Sequence, residues 1–266
     1  MGLMQLYIEL AKKTFERQIV YRSAAFAGLM TNIFFGLLRV AIMIALYQDH
    51  TEIANLSLYQ AITFTGLSQA VIGLLSIFSW YDFMTSVYTG AIATDLLKPM
   101  NLYMFWLAQD AGRAFGQLLL RGIPLILAYV VFFDVVLPET VYQWLAVVLA
   151  LTLAWLLSFS FRFLINLASF WSPNAVGVGR FGFMLIWFFS GFLFPLRYFP
   201  EWFVAFCQLT PFPSMVNTFN EIFLGIIDGL DLIRALAIQA FWVLALFMIG
   251  QWILRKGIQR LVILGG

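Results

Sequence analysis

The sequence contains few of the charged residues that a soluble protein carries on its surface. Only 11% of its 266 residues are charged, and it holds a single cysteine and a single histidine. A soluble globular chain carries about 25% charged residues, so this chain lacks the polar surface that water requires. One cysteine excludes an intrachain disulfide. The absence of a basic tail or stripe argues against nucleic acid as a partner.

Motifs for catalysis and nucleotide binding are missing as well. No Gly-x-x-x-x-Gly-Lys-Ser/Thr stretch occurs, so the chain lacks the loop that cradles the phosphates of ATP. His50 stands in an acidic segment without the further ligands that a metal site needs. No Ser/His/Asp or Cys/His set occurs in a usable location. We therefore expect a chain that is not an enzyme and that binds no metal or cofactor itself.

Apolar runs about 20 residues long are what the sequence has in abundance. Hydrophobic residues make up 63% of the chain, and its mean hydropathy is +0.93. Runs of this length cross a bilayer as helices, whereas barrel strands alternate over about 10 residues. We expect an all-α polytopic membrane protein, one domain over residues 1–266, with six transmembrane helices. The predicted spans are Ala24–Tyr47, Leu58–Ser79, Gly116–Val136, Tyr142–Phe170, Val176–Phe194 and Arg234–Leu254.

The distribution of basic residues predicts the orientation of these spans. With both termini cytoplasmic, the inner segments hold twelve of the 15 basic residues, and the outer segments hold Arg197 and Arg234. We therefore expect a multi-pass protein of the cell inner (plasma) membrane, surrounded by membrane lipids. The inner basic residues are Lys12, Lys13, Arg17, Arg22, Lys98, Arg113, Arg121, Arg162, Arg180, Arg255, Lys256 and Arg260.

The first 23 residues differ from the spans that follow them. Gln5, Glu9, Lys12, Lys13 and Glu16 form one polar arc of a helix, and apolar residues lie on the remainder. A helix of this kind is expected to lie in the inner interface of the membrane. An ordinary solvated N-terminal helix is the alternative.

The stretch SGFLFPLRYFPEWF, Ser190–Phe203, interrupts the apolar pattern. Pro195 lacks a backbone donor and is expected to end the fifth span. The apolar segments that follow are too short to cross the bilayer, so a re-entrant outer hairpin is predicted within residues 195–230, between spans five and six. An outer loop with aromatic anchors is the alternative. The residues expected at this outer gate are Gly191, Pro195, Pro200, Glu201 and Glu221.

This layout resembles the permease subunit of type-2 ABC exporters. The resemblance rests on the small-Gly-x-x-x-Pro-x-x-x-x-Pro arrangement after the fifth span, six spans, the interfacial helix and the outer hairpin. Gly90–Pro99 is also similar to a Gly-x-x-x-x-x-Leu-Leu-Arg-Pro pattern in one branch of that family, with Lys98 in place of arginine. The resemblance implies two cytoplasmic ABC ATPase subunits that bind ATP and Mg. It also implies a second permease subunit, either a related chain or an identical copy.

Residues 80–115 form the longest predicted cytoplasmic connection. Tyr88, Ile92 and Leu96 share a helical face at i, i+4 spacing, and Pro99 is expected to stop that helix. The resemblance implies a coupling helix that inserts into a cleft on the ATPase, and a helix lying flat on the membrane is the alternative. The residues proposed for this coupling are Tyr88, Ile92, Asp95, Leu96, Leu97 and Lys98.

A few polar residues lie inside the predicted spans. Arg39 is costly in hydrocarbon, so it either faces a cavity, a partner helix or an acid, or it snorkels to the outer interface. Arg162 is expected to snorkel or pack near the inner end of the fourth span, and the pair Gly112-x-x-x-Gly116 carries little weight alone. The residues suggested for a substrate path are Arg39, Asn32, Phe35 and Phe64.

The function expected from this reading is that of an exporter permease. It would move a small amphipathic, drug-like or lipid-like substrate by alternating access, driven by a separate ATPase. A passive channel or an integral membrane enzyme is the alternative, although no filter-like sequence is found. A secondary transporter would need paired broken helices, and the sequence suggests one break near its end and none in the first half.

Overall fold

The computed structural model describes residues 2–172 and 175–260, and these form a bundle of helices. The helical fold class is confirmed. In chain order the helices are α1 Leu3–Val20, α2 Arg22–Leu46, α3 Leu58–Ala70, α4 Ile72–Leu75, α5 Asp82–Tyr88, α6 Ile92–Leu96, α7 Leu102–Gln117, α8 Ile123–Phe132, α9 Val141–Asn166, α10 Val176–Phe189, α11 Glu201–Gln208, α12 Asn217–Phe223 and α13 Gly229–Ile258. A π-helical turn, Leu118–Gly122, joins α7 to α8, and 3-10 turns cover Leu167–Phe170, Leu196–Tyr198 and Pro213–Met215.

One small hairpin departs from the all-α expectation. Strands β1, Glu52–Ile53, and β2, Leu56–Ser57, pair antiparallel between α2 and α3. Ala54 and Asn55 join them with φ of 51° and 60°, the left-handed conformation that tight hairpin turns require. Ser57 then caps α3.

Four helices are long and apolar enough to cross a membrane, namely Ser23–Leu46, Leu102–Phe132, Val141–Phe170 and Gly229–Ile258. They correspond to the predicted first, third, fourth and sixth spans. At the predicted second and fifth spans the helices are shorter, because α4 ends at Leu75 and α10 covers only 14 residues. The count of six spans therefore stays a prediction.

The third long helix begins well before the predicted start at Gly116. Asn101 caps it by accepting a hydrogen bond from the Met104 backbone at 3.1 Å, and the helix then continues through the π turn to Phe132. Residues 102–115 are predicted to belong to the cytoplasmic connection 80–115, but they are helical. Asp110 and Arg113 within them form an ion pair inside the bundle.

Helix α3 lies at the centre of the bundle. Every residue from Ala61 to Ala70 is buried, including polar ones. A helix that is enclosed on all sides has no lipid-facing stripe, so its sequence carries no periodic pattern. It packs against α2 on one side and against α8 and α12 on others.

Helix α1 packs along α7 rather than standing apart from the bundle. A side chain at Gly112 would collide with the backbone of Ala11, and one at Gly116 would collide with Gln18. The low weight given to this glycine pair was therefore wrong, because the two glycines let α1 approach α7 closely. Whether α1 also touches the membrane interface stays a prediction.

The two ends of the bundle can be told apart along α9. At the N-terminal end of that helix, the Gln143 amide donates to the carbonyl of Phe223 at 2.9 Å. Beyond its C-terminal end, Ser172 accepts a hydrogen bond from Tyr88 at 3.2 Å. A helix of 26 residues is about 39 Å long. The coupling segment and the 195–230 region therefore lie at opposite ends of the molecule.

Candidate functional site

A break follows α4, four residues before the predicted end of the second span. Ser76 adopts a left-handed conformation, with φ of 49°, and residues 77–81 are not helical. The expectation that the first half contains no broken helix is therefore wrong. The apolar character of Ile77 and Phe78 concealed the break, because the sequence continues to look like a span.

Side chains from two other helices satisfy carbonyls that this break frees. The bonds run from Ser158 Oγ to Leu75 (2.7 Å), from Asn166 Nδ2 to Trp80 (2.8 Å) and from Trp187 Nε1 to Ile77 (2.8 Å). Non-helical backbone is tolerated at membrane depth only where protein or water satisfies its polar groups. The break is thus held in place by helices α9 and α10.

Arg113 connects the same break to a buried ion network. Its guanidinium donates to the carbonyls of Gly73 (2.6 Å) and Leu74 (3.1 Å), and its Nε donates to Asp110 at 2.7 Å. Asp110 also binds Arg162 through two parallel hydrogen bonds of 3.1 and 2.9 Å. Asp110 is 2% exposed and Arg162 is 0% exposed.

The position of Arg162 decides between two expectations and reveals one omission. Arg162 packs inside the bundle and does not snorkel, because its charge is buried and paired with a carboxylate from another helix. Asp110 was not singled out from the sequence at all. The two residues are 52 positions apart, so no local spacing could have connected them.

A cavity of about 730 Å³ opens beside the break. It lies between α2, the end of α4, α7 with its π turn, and the end of α10. It is lined by Gly28, Thr31, Asn32, Phe35, Arg39, Gln69, Ile72, Gly73, Ser76, Phe78, Ser79, Arg113, Gln117, Arg121, Trp187, Phe192 and Leu193. The lining combines aromatic rings with amides, hydroxyls and guanidinium groups, which is typical of a binding cavity for an organic molecule.

Three of the four residues suggested for a substrate path meet at this cavity. Arg39, Asn32 and Phe35 line it, whereas Phe64 is buried in α3 and is not among the lining residues. Arg39 Nη2 donates to the Phe192 carbonyl at 2.6 Å, and its guanidinium lies 4.2 Å from the centre of the Phe192 ring. Of the alternatives for Arg39, the cavity-facing position is the one observed.

Arg121 is a cavity residue that sequence reasoning did not identify. Its Nη2 donates to the Ala24 carbonyl at 2.9 Å, while its Nε is buried and has no partner in the described part of the chain. The guanidinium lies against Gly28, where any side chain would overlap it. The charge distribution places Arg121 among the inner basic residues. It does not indicate that Arg121 lies between α2 and the π turn.

The proposed coupling residues do not form one continuous helix. Tyr88 ends α5, Gly90 has φ of +75°, and α6 starts at Ile92. The prediction that Tyr88, Ile92 and Leu96 share one helical face is therefore wrong. Gly90 turns the chain between the two short helices. No atom of the described residues lies within 4 Å of a Cβ built at Gly90, so glycine is required there by the backbone conformation and not by a close neighbour.

The side chains of this loop divide into buried and exposed groups. Ile92 is 0% exposed, Leu96 packs against the core, and Leu97 is 86% exposed. Asp95 and Lys98 form an ion pair with each other at 2.7 Å. Of the apolar residues in α6 and its cap, Leu97 is therefore the one that offers an open surface.

Tyr88 ties this loop to the connection between α9 and α10. Its hydroxyl donates to the Ser172 carbonyl at 3.2 Å and accepts a hydrogen bond from the Ala175 backbone at 2.6 Å. Pro173 and Asn174 of this connection lie outside the described residues.

At the other end of the bundle, α10 ends five residues before the predicted stop at Phe194. Gly191 has φ of +79°, and a Cβ there would approach the Asn217 side chain to 2.8 Å. The helix therefore ends at Phe189 because the chain turns at Gly191. Pro195 follows within the non-helical stretch and does not cause the break.

The remaining outer residues lie on and around this stretch. Pro200 and Glu201 are exposed and begin α11, where the carboxylate suits the positive end of the helix. Glu221 on α12 accepts a hydrogen bond from Arg197 Nε at 2.7 Å. Gly191, Pro195 and Glu221 thus belong to one packed region, while Pro200 and Glu201 face outward.

The segment after α11 contacts the long helices partway along their length. Gln239 on α13 donates to the carbonyl of Ser214 at 2.8 Å and to that of Ala150 on α9 at 3.2 Å. Asn220 on α12 donates to Ser68 on α3 at 2.7 Å. These polar contacts are enclosed by protein on every side.

No group of three His, Cys, Asp or Glu side chains suited to a metal occurs within residues 2–172 and 175–260. What the structure contains is a set of membrane-length helices, two interrupted helices and a polar cavity between them. These features define a multi-pass membrane protein built around an internal cavity.

Comparison with protein families identifies the class of transporter. Residues 31–265 match the family described as ABC-2 family transporter protein. This match covers most of the chain, so the chain belongs to that family and fits the permease component of an ABC transporter. ATPase partners are implied by this membership. No curated protein matches the chain.

Proposed function

We propose that this chain is the permease subunit of an ABC exporter. It moves a small amphipathic, drug-like or lipid-like substrate across the inner membrane by alternating access. Two cytoplasmic ATPase subunits bind ATP and Mg and supply the energy, and a second permease chain completes the assembly. Both termini lie in the cytoplasm, and six spans include the shorter helices α3–α4 and α10.

The observation that carries this proposal is the arrangement of the loop after the first break. Its two short helices are anchored by buried Phe83 and Ile92, and they present Leu97 on an open surface. An exposed leucine on a rigid support suits insertion into a cleft of another protein, because the apolar area is gained without ordering a flexible loop. The Asp95–Lys98 pair beside it would set the register of docking.

This loop is joined directly to the cavity wall, so a movement of the loop would change the shape of the cavity. Helix α5 begins at Asp82, directly after the non-helical segment whose Ser79 lines the cavity. The Asn166 side chain hydrogen-bonds to the backbone on both sides of that junction, since it donates to the Trp80 carbonyl and accepts from the Met84 N–H at 3.1 Å. A displacement of α5 by the ATPase would therefore shift the cavity wall and the end of α9 together.

The outer region supports the same cycle from the opposite end. We propose that residues 195–230 dip into the outer leaflet as a re-entrant hairpin. The polar contacts of Ser214 and Asn220 partway along α9, α13 and α3 support this placement, because such groups need protein partners in hydrocarbon. Alternating access requires that substrate bind the two states with different free energies.

The test is to purify the chain with the ATPase that co-purifies with it and to reconstitute both in liposomes. Leu97→Asp should lower ATPase activity of the complex at least tenfold, because a carboxylate cannot occupy an apolar cleft without a large desolvation cost. Membrane insertion of the variant should be unchanged, since Leu97 contributes little to the packing of the chain.

Leu209→Asp is the matched control. Leu209 is 78% exposed and, like Leu97, caps a short helix, but it lies in the 195–230 region at the other end of the bundle. Its ATPase activity should stay near that of the unaltered complex. Equal activity of the Leu97 variant and the control would contradict the coupling assignment. Failure of any ATPase to co-purify would favour the passive channel or membrane enzyme.

A further inference from the structure

We propose that the cavity beside Ser76 binds an amphiphile with an anionic head group and one apolar chain. This inference deepens the proposed function, because it names the chemical class of the transported molecule. It rests on that function only for the claim that the bound molecule is transported. The binding itself follows from the residues that line the cavity.

The lining of the cavity carries an excess of positive charge. Arg39, Arg113 and Arg121 line the cavity, and no aspartate or glutamate is among the lining residues. In the described part of the chain, Arg39 and Arg121 form no ion pair with a carboxylate. Their hydrogen bonds go to the neutral carbonyls of Phe192 and Ala24.

The ion pair of Arg113 does not neutralise the positive charge of the lining. Its carboxylate partner, Asp110, is shared with Arg162, so two cations meet one anion behind the cavity wall. Uncompensated charge is costly in a low-dielectric interior, and intramembrane arginines commonly mark the path of a substrate. An anion in the cavity would neutralise this excess and gain charge-assisted hydrogen bonds.

Two buried polar atoms at one end of the cavity lack partners among the described residues. Within residues 2–172 and 175–260, Arg121 Nε donates to nothing and Gln117 Oε1 accepts nothing. Buried polar atoms are normally hydrogen-bonded, so an orphaned donor and acceptor on one wall call for an explanation. A head group with an anionic oxygen and a hydroxyl would satisfy both.

The rest of the lining is largely apolar. A cavity of about 730 Å³ falls in the range of roughly 300–1,000 Å³ that holds a drug-sized ligand. Its size suits one chain or a compact apolar body. The apolar residues that would contact this part are Phe35, Ile72, Phe78, Trp187, Phe192 and Leu193.

Binding can be measured with brominated probes that quench tryptophan fluorescence, since Trp187 lines the cavity. The probes share a 9,10-dibromostearyl chain and differ in the head group, which is a carboxylate, a phosphate, an alcohol or an amine. The purified chain is held in micelles of an uncharged maltoside detergent. Comparison with Trp187→Phe isolates the quenching that comes from the cavity.

The expected result is that the carboxylate or the phosphate probe binds at least tenfold more tightly than the alcohol, and that the amine binds weakest. The tighter of the two anions identifies the head group. Arg39→Gln and Arg121→Gln should each weaken the anionic probe about tenfold, because each removes a charge-assisted contact. Binding of the alcohol should change little.

Arg255→Gln is the matched control, because Arg255 is exposed near the end of α13 and is not a lining residue. It should bind all probes as the unaltered chain does. Equal affinity for acid and alcohol, or a preference for the amine, would overturn the proposal. So would an unchanged affinity in the folded double variant of Arg39 and Arg121.

This experiment is separable from the test of the proposed function. It needs only the permease chain, whereas the coupling test reads the activity of the ATPase. Selective anion binding with no effect of Leu97→Asp would contradict the coupling assignment and leave the binding site in place. Normal coupling without selective anion binding would contradict the binding site alone.

Discussion

Helix α4 ends at Leu75 and α10 ends at Phe189, and after each of them the chain continues as non-helical backbone within the bundle. The two interruptions are stabilised differently. After Leu75, the freed carbonyls accept hydrogen bonds from side chains on α7, α9 and α10. After Phe189, the carbonyl of Ser190 accepts from the backbone of Asn217, whose side chain in turn accepts from the Leu196 backbone.

The difference lies in how far apart the partners are along the chain. The second interruption is closed by residues within 27 positions of one another, so it forms a local unit. The first is closed by residues 39 to 110 positions away, so it depends on the correct packing of the whole bundle. Changes near the first interruption should therefore disturb the entire fold, while changes near the second should act locally.

The largest expected effect comes from breaking the ion network behind the first interruption. Asp110→Asn leaves Arg162 buried without its carboxylate and weakens the hold of Arg113 on Gly73 and Leu74. Removing one partner of a buried pair costs about 3–5 kcal/mol. The midpoint of thermal unfolding in detergent should fall by roughly 10 °C.

Asp95→Asn is the control for this variant, because it breaks an ion pair of the same type in a more exposed position. Such pairs contribute about 0–1 kcal/mol, so the midpoint should shift by no more than a few degrees. If both variants lost the same stability, the buried network would not be what stabilises the first interruption.

An intermediate effect is expected from comparing the two asparagines that bridge the interruptions. Asn166 donates to the carbonyls of Trp80 and Arg162 and accepts from the Met84 backbone, whereas the Asn217 side chain accepts one bond, from the Leu196 backbone. An orphaned buried group costs about 1–3 kcal/mol. Asn166→Ala should therefore destabilise by about 2–3 kcal/mol and Asn217→Ala by about 1 kcal/mol.

Unfolding in detergent, followed by tryptophan fluorescence, measures both variants on the same scale. Amide hydrogen exchange shows which helices each variant destabilises. Exchange should rise across α5, α7 and α9 in the Asn166 variant and only near residues 190–223 in the Asn217 variant. A global rise in the Asn217 variant would remove the distinction between the two interruptions.

The sequence predicted the existence of the helices better than their ends. Each predicted span contains a helix, because apolar runs in a membrane must close their own hydrogen bonds. The end of α4 was hidden because Ile77 and Phe78 are as apolar as the residues before them. The end of α10 was assigned to Pro195, whereas the turn occurs at Gly191, where a glycine meets the side chain of Asn217.

The buried charges could not be placed from the sequence for a different reason. The sequence places Arg113 and Arg162 among the inner basic residues, because positive charge is enriched in cytoplasmic segments, and it does not single out Asp110. Their pairing depends on the contact between α7 and α9, which no spacing along the chain encodes. Arg39, Asn32 and Phe35 nevertheless line one cavity, and for Arg39 and Asn32 the signal in the sequence is a polar residue inside an apolar span.

The smallest expected effect concerns the second interruption itself. Gly191→Ala forces a Cβ into a left-handed position, with φ of +79°, against the side chain of Asn217. The backbone strain costs about 1–2 kcal/mol, and the loss should be local because the partners are local. Gly177→Ala on α10 is the control, since no atom of the described residues lies within 4 Å of its new Cβ, and alanine in a helix should stabilise by about 1 kcal/mol. Opposite shifts of the thermal midpoint are therefore expected from the same substitution, 14 residues apart. Shifts of the same sign would mean that the turn at Gly191 does not require glycine, and that the end of α10 is imposed by Pro195 after all.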